Sequence, residues 1–95
     1  MNIHYKLTAV PTFPTEQFSG CLVTFVAVNN IKARRTWTVY RNDLVGLFHQ
    51  ILTRVEAEKI VSDLRKGMMI DFADTFTAGQ LRPLGFLELD RRMSR

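Results

Sequence analysis

The sequence predicts an α+β domain in which two short helices pack on one face of a mostly antiparallel sheet of about five strands. Three observations lead to this prediction. Several short segments alternate apolar and polar residues as strands do, helical periodicity is confined to residues 43–66, and the resulting order is β-β-β-α-α-β-β. A chain of 95 residues can build one hydrophobic core, so residues 1–95 are predicted to form a single globular domain.

The first two predicted strands are separated by a loop that contains prolines. Residues 3–10 alternate apolar and polar side chains, which predicts a half-buried strand. Pro11 and Pro14 then predict a loop over residues 11–19, because proline cannot donate a hydrogen bond to a ladder. Residues 20–28 are apolar on both faces, so we expect them to form a central strand.

The third strand is predicted to form a hairpin with the second. Asn29 and Asn30 suit a two-residue turn, because asparagine tolerates the positive φ that such a turn requires. This turn would pair Leu22 with Trp37. The core-facing side would then carry Arg35 together with Leu22, Val26, Val28, Ile31, Ala33, Trp37 and Val39. The outward side would carry Lys32, Arg34, Thr36, Thr38 and Tyr40 beside Cys21, Val23, Phe25 and Ala27.

Two short helices with a sharp junction are predicted next. Residues 43–52 carry an apolar stripe on one side, and either Asn42 or Asp43 can cap the first turn. Residues 54–66 carry a second stripe that points in nearly the opposite direction, so a single straight helix could bury both only if it were covered all round. Thr53 and Glu56 also match a capping box, which marks the start of a new helix.

The end of the chain is predicted to form a second hairpin. Residues 68–76 alternate again, residues 77–83 read as a loop, and residues 84–89 form the last strand. We expect Met68 and Met69 to begin a buried strand rather than to form an adaptable binding surface.

Catalysis and metal binding find little support in the sequence. The glycines are isolated, so no phosphate-binding loop is present. Cys21, His4 and His49 lack the spacing of metal ligands, and an apolar strand is a poor setting for a nucleophilic cysteine. The carboxylates of Asp71 and Glu88 are expected to be solvated. We therefore expect no enzyme activity, no catalytic residue, no metal and no cofactor.

The expected location is the cytoplasm. The longest apolar run, residues 21–28, is too short to cross a bilayer. Asn2, His4 and Lys6 lie where a signal peptide would need its apolar segment. Cys21 is the only cysteine, so the fold must be stable without an intramolecular disulfide.

An acid-free basic stretch is the feature that points to a partner. The formal net charge is +4, and residues 17–42 contain no acidic residue, whereas residues 43–90 carry more acidic than basic residues. A chain polarised in this way can present a positive surface to an acidic protein or to a polyanion. The expected partner-binding residues lie on the outward side of the hairpin and at its end: Lys32, Arg34, Tyr40, Phe25 and Arg41.

Three interpretations of this surface stay open. Arginine and aromatic residues are enriched at hot spots of protein interfaces, which suits an acidic protein partner. Cations that neutralise phosphates beside rings that stack on bases suit nucleic acid. The third interpretation is a solvated strand face whose long basic side chains cover apolar surface.

The preferred functional hypothesis is a small, non-enzymatic protein-binding module without membrane association. Compact chains without motifs are frequently accessory factors or inhibitors, so size suggests a phage- or mobile-element-type inhibitor of bacterial machinery. The alternative is a sequence-tolerant DNA- or RNA-binding module that uses the same face and the basic tail at residues 91–95. A homo-oligomer that forms through an exposed edge strand is also open.

Overall fold

The computed structural model of the protein describes residues 3–12 and 21–86. The predicted α+β class is confirmed. In chain order the elements are β1 (His4–Pro11), β2 (Cys21–Asn29), β3 (Arg34–Arg41), α1 (Leu44–His49), α2 (Arg54–Arg65), β4 (Ile70–Thr77) and α3 (Ala78–Leu81), followed by a 3-10 turn (Arg82–Leu84).

The sheet is antiparallel throughout, and its strand order is β3-β2-β1-β4. β2 is a central strand, as its continuous apolar sequence predicted. The described part of the chain contributes four strands rather than about five. β4 pairs with β1, and no strand follows β4 within the described residues.

The predicted fifth strand is wrong where the structure describes it. Thr77 and Gln80 form a capping box that starts α3: the Thr77 N–H donates to the Gln80 side-chain oxygen at 2.8 Å. Pro83 then lies in the first turn of the 3-10 segment, where its missing N–H costs no hydrogen bond. Gly85 ends that turn with φ of 97°. The remaining residues of the predicted strand, 87–89, lie outside the described residues.

Pro11 is the last residue of β1 instead of the first residue of a loop. Its nitrogen carries no hydrogen, but at this position it is not required to donate a hydrogen bond to β2. The Thr12 N–H donates to the Leu22 oxygen at 2.9 Å, so the neighbouring pair of Pro11 and Val23 is one without hydrogen bonds between its partners. The nitrogen of Pro11 therefore points away from β2, towards β4, whose pairing with β1 has already ended at Ala9. The rest of the predicted loop, from residue 13 on, lies outside the described residues.

The two predicted helices are confirmed, as is the junction between them. The Asp43 side chain caps α1 by accepting a hydrogen bond from the Gly46 N–H at 2.9 Å. Thr53 and Glu56 form the predicted capping box at the start of α2. Gly67 ends α2 in the left-handed conformation, with φ of 85°.

Met68 and Met69 are exposed, so their predicted burial at the start of a strand is wrong. They retain 49% and 58% of their exposure, and β4 begins only at Ile70. The end of α2 explains the difference. The N–H groups of Gly67 and Met68 bond back to the carbonyls of Leu64 and Asp63, so the chain is still turning there.

The hydrophobic core lies between the helices and one face of the sheet. Trp37 also contacts the 3-10 turn, where its indole N–H donates to the Leu84 oxygen at 3.1 Å. This buried bond holds the 3-10 turn against β3. The buried core residues are Leu7, Ala9, Val23, Phe25, Ala27, Trp37, Leu44, Leu47, Phe48, Ala57, Val61, Leu64, Phe72, Phe76, Leu81, Leu84 and Phe86.

β2 and β3 pair in a register that differs from the predicted one. Phe25 lies opposite Trp37, and Leu22 lies opposite Tyr40 rather than Trp37. A shift by an odd number of residues turns β2 over, so Phe25 faces the helices and is fully buried. The predicted outward position of Phe25 is therefore wrong, whereas the predicted sides of Trp37 and Arg34 on β3 are right.

The turn between β2 and β3 explains this register. The Asn29 side-chain oxygen accepts hydrogen bonds from the N–H groups of Ile31 and Ala33, at 3.1 and 2.8 Å. The Asn29 backbone oxygen accepts one from the Lys32 N–H at 2.9 Å. Lys32 has φ of 67°, so it takes the left-handed position that a three-residue hairpin loop requires. Asn29 thus closes a loop over residues 30–32 instead of lying inside a two-residue turn.

Candidate protein-binding surface

One face of the sheet carries none of the helices that the structure describes, and we call it the open face. Its outermost row, on β3, consists of Arg34, Thr36, Thr38 and Tyr40, all of them exposed. The inner rows are half-buried or exposed and consist of Leu22, Thr24, Val26 and Val28 on β2 and Lys6, Thr8 and Val10 on β1. The open face therefore mixes β-branched side chains with cations at its margin.

A row of threonine hydroxyls crosses the middle of the open face. The Oγ1 atoms of Thr12 and Thr24 lie 3.1 Å apart, and those of Thr24 and Thr38 lie 2.8 Å apart. Each contact holds a threonine side chain in one orientation across a strand boundary. The centre of the face is consequently ordered, while the long side chains of Arg34 and Tyr40 remain at its edge.

β3 forms an edge of the sheet, and hydrogen-bond alternation decides which of its backbone groups point outward. The Asn29 N–H donates to the Ala33 oxygen at 3.1 Å, which starts the β2–β3 ladder. Because such bonds alternate along an antiparallel pair, the odd-numbered residues of β3 bond to β2. The N–H and C=O groups of the even-numbered residues therefore point to the edge that no described strand covers: Arg34, Thr36, Thr38 and Tyr40.

Four of the five predicted partner-binding residues are exposed, but they do not share one row. Arg34 and Tyr40 lie on the open face, and 55% of Tyr40 is accessible. Lys32 lies in the hairpin turn. Arg41 lies at the end of β3, on the side of the odd-numbered residues. Phe25, the fifth, is in the core and is inaccessible.

Arg82 is a cation that the sequence analysis missed. It lines a hollow of about 370 Å³ together with Arg41, Tyr40 and the backbone around Gly85. The 3-10 turn carries Arg82 to β3 because Leu84 is bonded to Trp37. No sequence signal announces this proximity, since Arg82 and Pro83 look like ordinary loop residues. The end of β3 thus has two arginines around one concave surface.

Three cations on β3 and in the turn before it have no carboxylate partner among the described residues. Ion pairs are seen on α2, where Arg54 contacts Glu58 at 3.6 Å and Lys59 contacts Asp63 at 3.4 Å. Lys32, Arg34 and Arg41 form no such contact within residues 3–12 and 21–86. No described carboxylate therefore neutralises the positive charge of Lys32, Arg34 and Arg41 at this edge.

The opposite edge of the sheet has the opposite charge. β4 carries Asp71 and Asp74 and no basic residue. The Thr8 hydroxyl donates to the Asp71 carboxylate at 2.8 Å, and the Lys6 ammonium donates to the Ala73 carbonyl at 3.2 Å. Asp71 is thus held at the open face.

A polar hollow of about 690 Å³ lies near the end of α1. It is lined by His49, Glu56, Asp74 and Gln80 among others. His49 contacts the Leu52 carbonyl at 3.1 Å, and Gln80 is used in the α3 capping box. Within the described residues, no group of three histidine, cysteine, aspartate or glutamate side chains could hold a metal ion.

Glu56, which also lines this hollow, forms part of the α2 capping box. The Thr53 backbone N–H and then the Thr53 hydroxyl hydrogen-bond to its carboxylate, at 3.1 and 2.8 Å, and they hold the pKa of Glu56 below its ordinary value. A lowered pKa keeps Glu56 ionised, which suits a helix cap rather than a general acid.

No protein-family model matches the chain, and neither does a curated protein or a solved structure. None of the described helices is long and apolar enough to cross a membrane. The fold and the surface define a small α+β domain. One face of its antiparallel sheet carries no described helix, and the β3 edge of the sheet carries exposed cations.

Proposed function

We propose that the protein is a small, non-enzymatic binding module that recognises an acidic surface of a partner protein. One observation carries the proposal: β3 is an edge strand, and the cations Arg34 and Arg41 on it and Lys32 in the turn before it form no ion pair with a described residue. Arg82 adds positive charge at the end of the same strand.

The chemistry of the surface supports a protein partner. Arginine binds carboxylates through a planar fork of donors, and tyrosine contributes contact area with a polar end. Arg34 and Tyr40 lie on one row of the open face, separated by the two exposed threonines of β3. Half-buried valines beside this row offer apolar contact area that a partner would cover.

The nucleic-acid alternative is less well supported than the protein alternative. A single-strand binder needs several exposed rings on which bases stack. Phe25 is buried and Trp37 is 3% exposed, which leaves Tyr40 as the aromatic side chain on the described open face. The basic tail at residues 91–95 lies outside the described residues. Salt sensitivity remains the measurement that separates the alternatives, because phosphate contacts weaken steeply as salt rises.

The proposal includes a role as an accessory factor or inhibitor of bacterial machinery, acting in the cytoplasm. Size and the lack of sequence motifs support it. It requires that the module bind a specific acidic component of a bacterial cell rather than any anion.

A charge-matched capture experiment tests the proposed function. The immobilised protein is exposed to a bacterial lysate and, separately, to duplex and single-stranded DNA and to RNA at several salt concentrations. Arg34→Glu and Arg41→Glu are compared with Arg54→Glu, which makes the same charge change on α2, away from the surface.

The expected result is that the wild type and Arg54→Glu retain the same lysate proteins, whereas Arg34→Glu and Arg41→Glu lose them. Equal retention by all variants would overturn the proposed surface. Tight binding to nucleic acid that falls steeply with salt would favour the alternative.

A further inference from the structure

We infer that the partner's contacting segment is an extended acidic strand that pairs with β3 and becomes the fifth strand of the sheet. This inference rests on the proposed function and specifies its binding mode. Backbone hydrogen bonds along a free edge supply affinity in such complexes, and alternate side chains supply specificity.

The backbone of β3 is suited to strand addition. β3 pairs with β2 at eight consecutive positions, from Arg34 opposite Val28 to Arg41 opposite Cys21, without an irregularity. No described group bonds to the outward N–H and C=O groups of Arg34, Thr36, Thr38 and Tyr40. An edge of this length and regularity is a ready template for another strand.

The other edge of the sheet is protected. Between the pairs Lys6–Thr75 and Thr8–Asp71, β4 contains more residues than β1 and bulges outward. The Lys6 ammonium already occupies the Ala73 carbonyl in this bulge. Bulges and charged side chains are the devices by which proteins block an edge against pairing, so β3 is the open edge within the described sheet.

The arginines at the two ends of β3 favour an added strand with acidic ends. Arg34 lies at one end of β3, and Arg41 lies with Arg82 at the other. A strand with a carboxylate opposite each end would form opposite-charge cross-strand pairs, and its carboxylate beside Arg41 would enter the hollow that Arg82 lines. Two-fold pairing of β3 with a second copy would instead bring the Arg34 end of each strand beside the Arg41 end of the other, which would concentrate positive charge at both ends of the interface and oppose pairing.

The middle of the added strand is expected to be β-branched. Its side chains on the open face would extend the row of Thr36 and Thr38, and those on the other side would cover the half-buried Val39. The inferred ligand is therefore an extended segment of about eight residues with acidic ends and alternating threonine and valine between them.

Amide hydrogen exchange measured by NMR on the wild-type protein tests this mode directly. The probe is a synthetic octapeptide with glutamates at both ends and alternating threonine and valine, and the control peptide carries lysines at the ends. We expect the glutamate peptide to bind about tenfold more tightly than the lysine peptide.

Strand addition predicts an alternating pattern of protection. At saturation, exchange of the amides of Arg34, Thr36, Thr38 and Tyr40 should slow about tenfold or more, because each residue then bonds to the peptide. The amides at 35, 37 and 39 should change little, because they are already bonded to β2. Contact through side chains alone would leave all the edge amides exchanging as in the free protein.

Modified peptides provide a test that needs no protein variant. N-methylation of the peptide nitrogens that point to β3 should weaken binding about tenfold or more, whereas N-methylation of the alternate nitrogens should have little effect.

On the protein, Thr36→Pro removes one edge N–H, and Thr36→Val changes the same side chain while keeping the N–H. Thr36→Pro should lose binding, and Thr36→Val should keep it.

Three outcomes would overturn strand addition: equal affinity for the two peptides, binding without alternating protection, or protection of the same amides that grows with protein concentration in the absence of peptide. The last outcome would identify a second copy as the occupant. The proposed function fails separately, if charge-matched capture does not depend on Arg34 or Arg41.

Discussion

Phe25 and Trp37 stack on each other across the β2–β3 pair, with ring centroids 5.3 Å apart and ring planes at 27°. The stack lies on the helix side of the sheet, so both rings belong to the hydrophobic core. The Phe48 ring meets Phe25 at 5.9 Å, and the Phe86 ring meets Trp37 at 4.8 Å. The hairpin therefore places these rings in the core, whereas Lys32, Arg34 and Arg41 remain exposed.

Truncation of Phe25 should be strongly destabilising. Phe25→Ala removes a fully buried ring, which typically lowers the free energy of unfolding by about 3–5 kcal/mol. Tyr40→Ala, on the exposed row of β3, should change it by less than about 1 kcal/mol. Urea unfolding followed by the fluorescence of Trp37, the one tryptophan, measures both. Similar losses for the two variants would contradict the observed register.

The neighbouring arginines of β3 should separate stability from binding. Arg35 is half-buried opposite Ala27 on the helix side, so Arg35→Ala should lower stability by about 1 kcal/mol. Arg34→Ala, on the open face, should stay within about 0.5 kcal/mol of the wild type but weaken partner capture. Thermal melts in which Arg34→Ala loses more stability than Arg35→Ala would refute this assignment.

The hairpin turn offers a substitution with opposite effects on stability and binding. Lys32 adopts a left-handed φ of 67°, which glycine takes without strain. Lys32→Gly should therefore raise the free energy of unfolding by about 1 kcal/mol while removing one cation from the surface. Lys32→Ala removes the same cation but keeps the strain, so it should not stabilise. Equal stabilities of the two variants would show that the turn does not carry this strain.

The capping box of α2 should make stability depend on acid. The Thr53 hydrogen bonds lower the pKa of Glu56 in the folded protein, so this contribution is complete above the unfolded pKa of about 4.3 and is lost as pH falls through the lower folded value. Glu56→Gln should be less stable than the wild type at neutral pH. The difference in melting temperature should shrink below about pH 4. A difference that is the same at neutral and acidic pH would argue against the capping role.

Local chemistry made much of the fold predictable. The order of the first six elements, the central position of β2 and both helices follow from alternation, periodicity and capping residues. The α3 capping box at Thr77 and Gln80 is equally present in the sequence, although the glycine and proline around it predict a loop over residues 77–83. The predicted burial of Met68 and Met69 is wrong because the alternation of β4 extends back to them in the sequence. The hydrogen bonds at the end of α2 still bend the chain there, so the strand has not yet begun.

The surface was predicted only in part. Arg34 and Tyr40 could be assigned to the outward side because the alternation of β3 is strict. The side of Phe25 could not be predicted, because it depends on the length of the turn. A shift of the register by an odd number of residues moves every side chain of β2 to the other face of the sheet. Arg82 could not be found at all, since it is brought to Arg41 by packing between segments far apart in the chain.

The sequence by itself determined the first six secondary elements, the acid-free basic stretch and the amphipathic sides of β3, because each depends on residues within a few positions of one another. Tertiary structure alone decided the three-residue turn at Asn29, the burial of Phe25 against Trp37 and the meeting of Arg41 with Arg82. These depend on which strand registers and which long-range contacts fill the core best, and a difference of one residue in a loop is enough to change that balance.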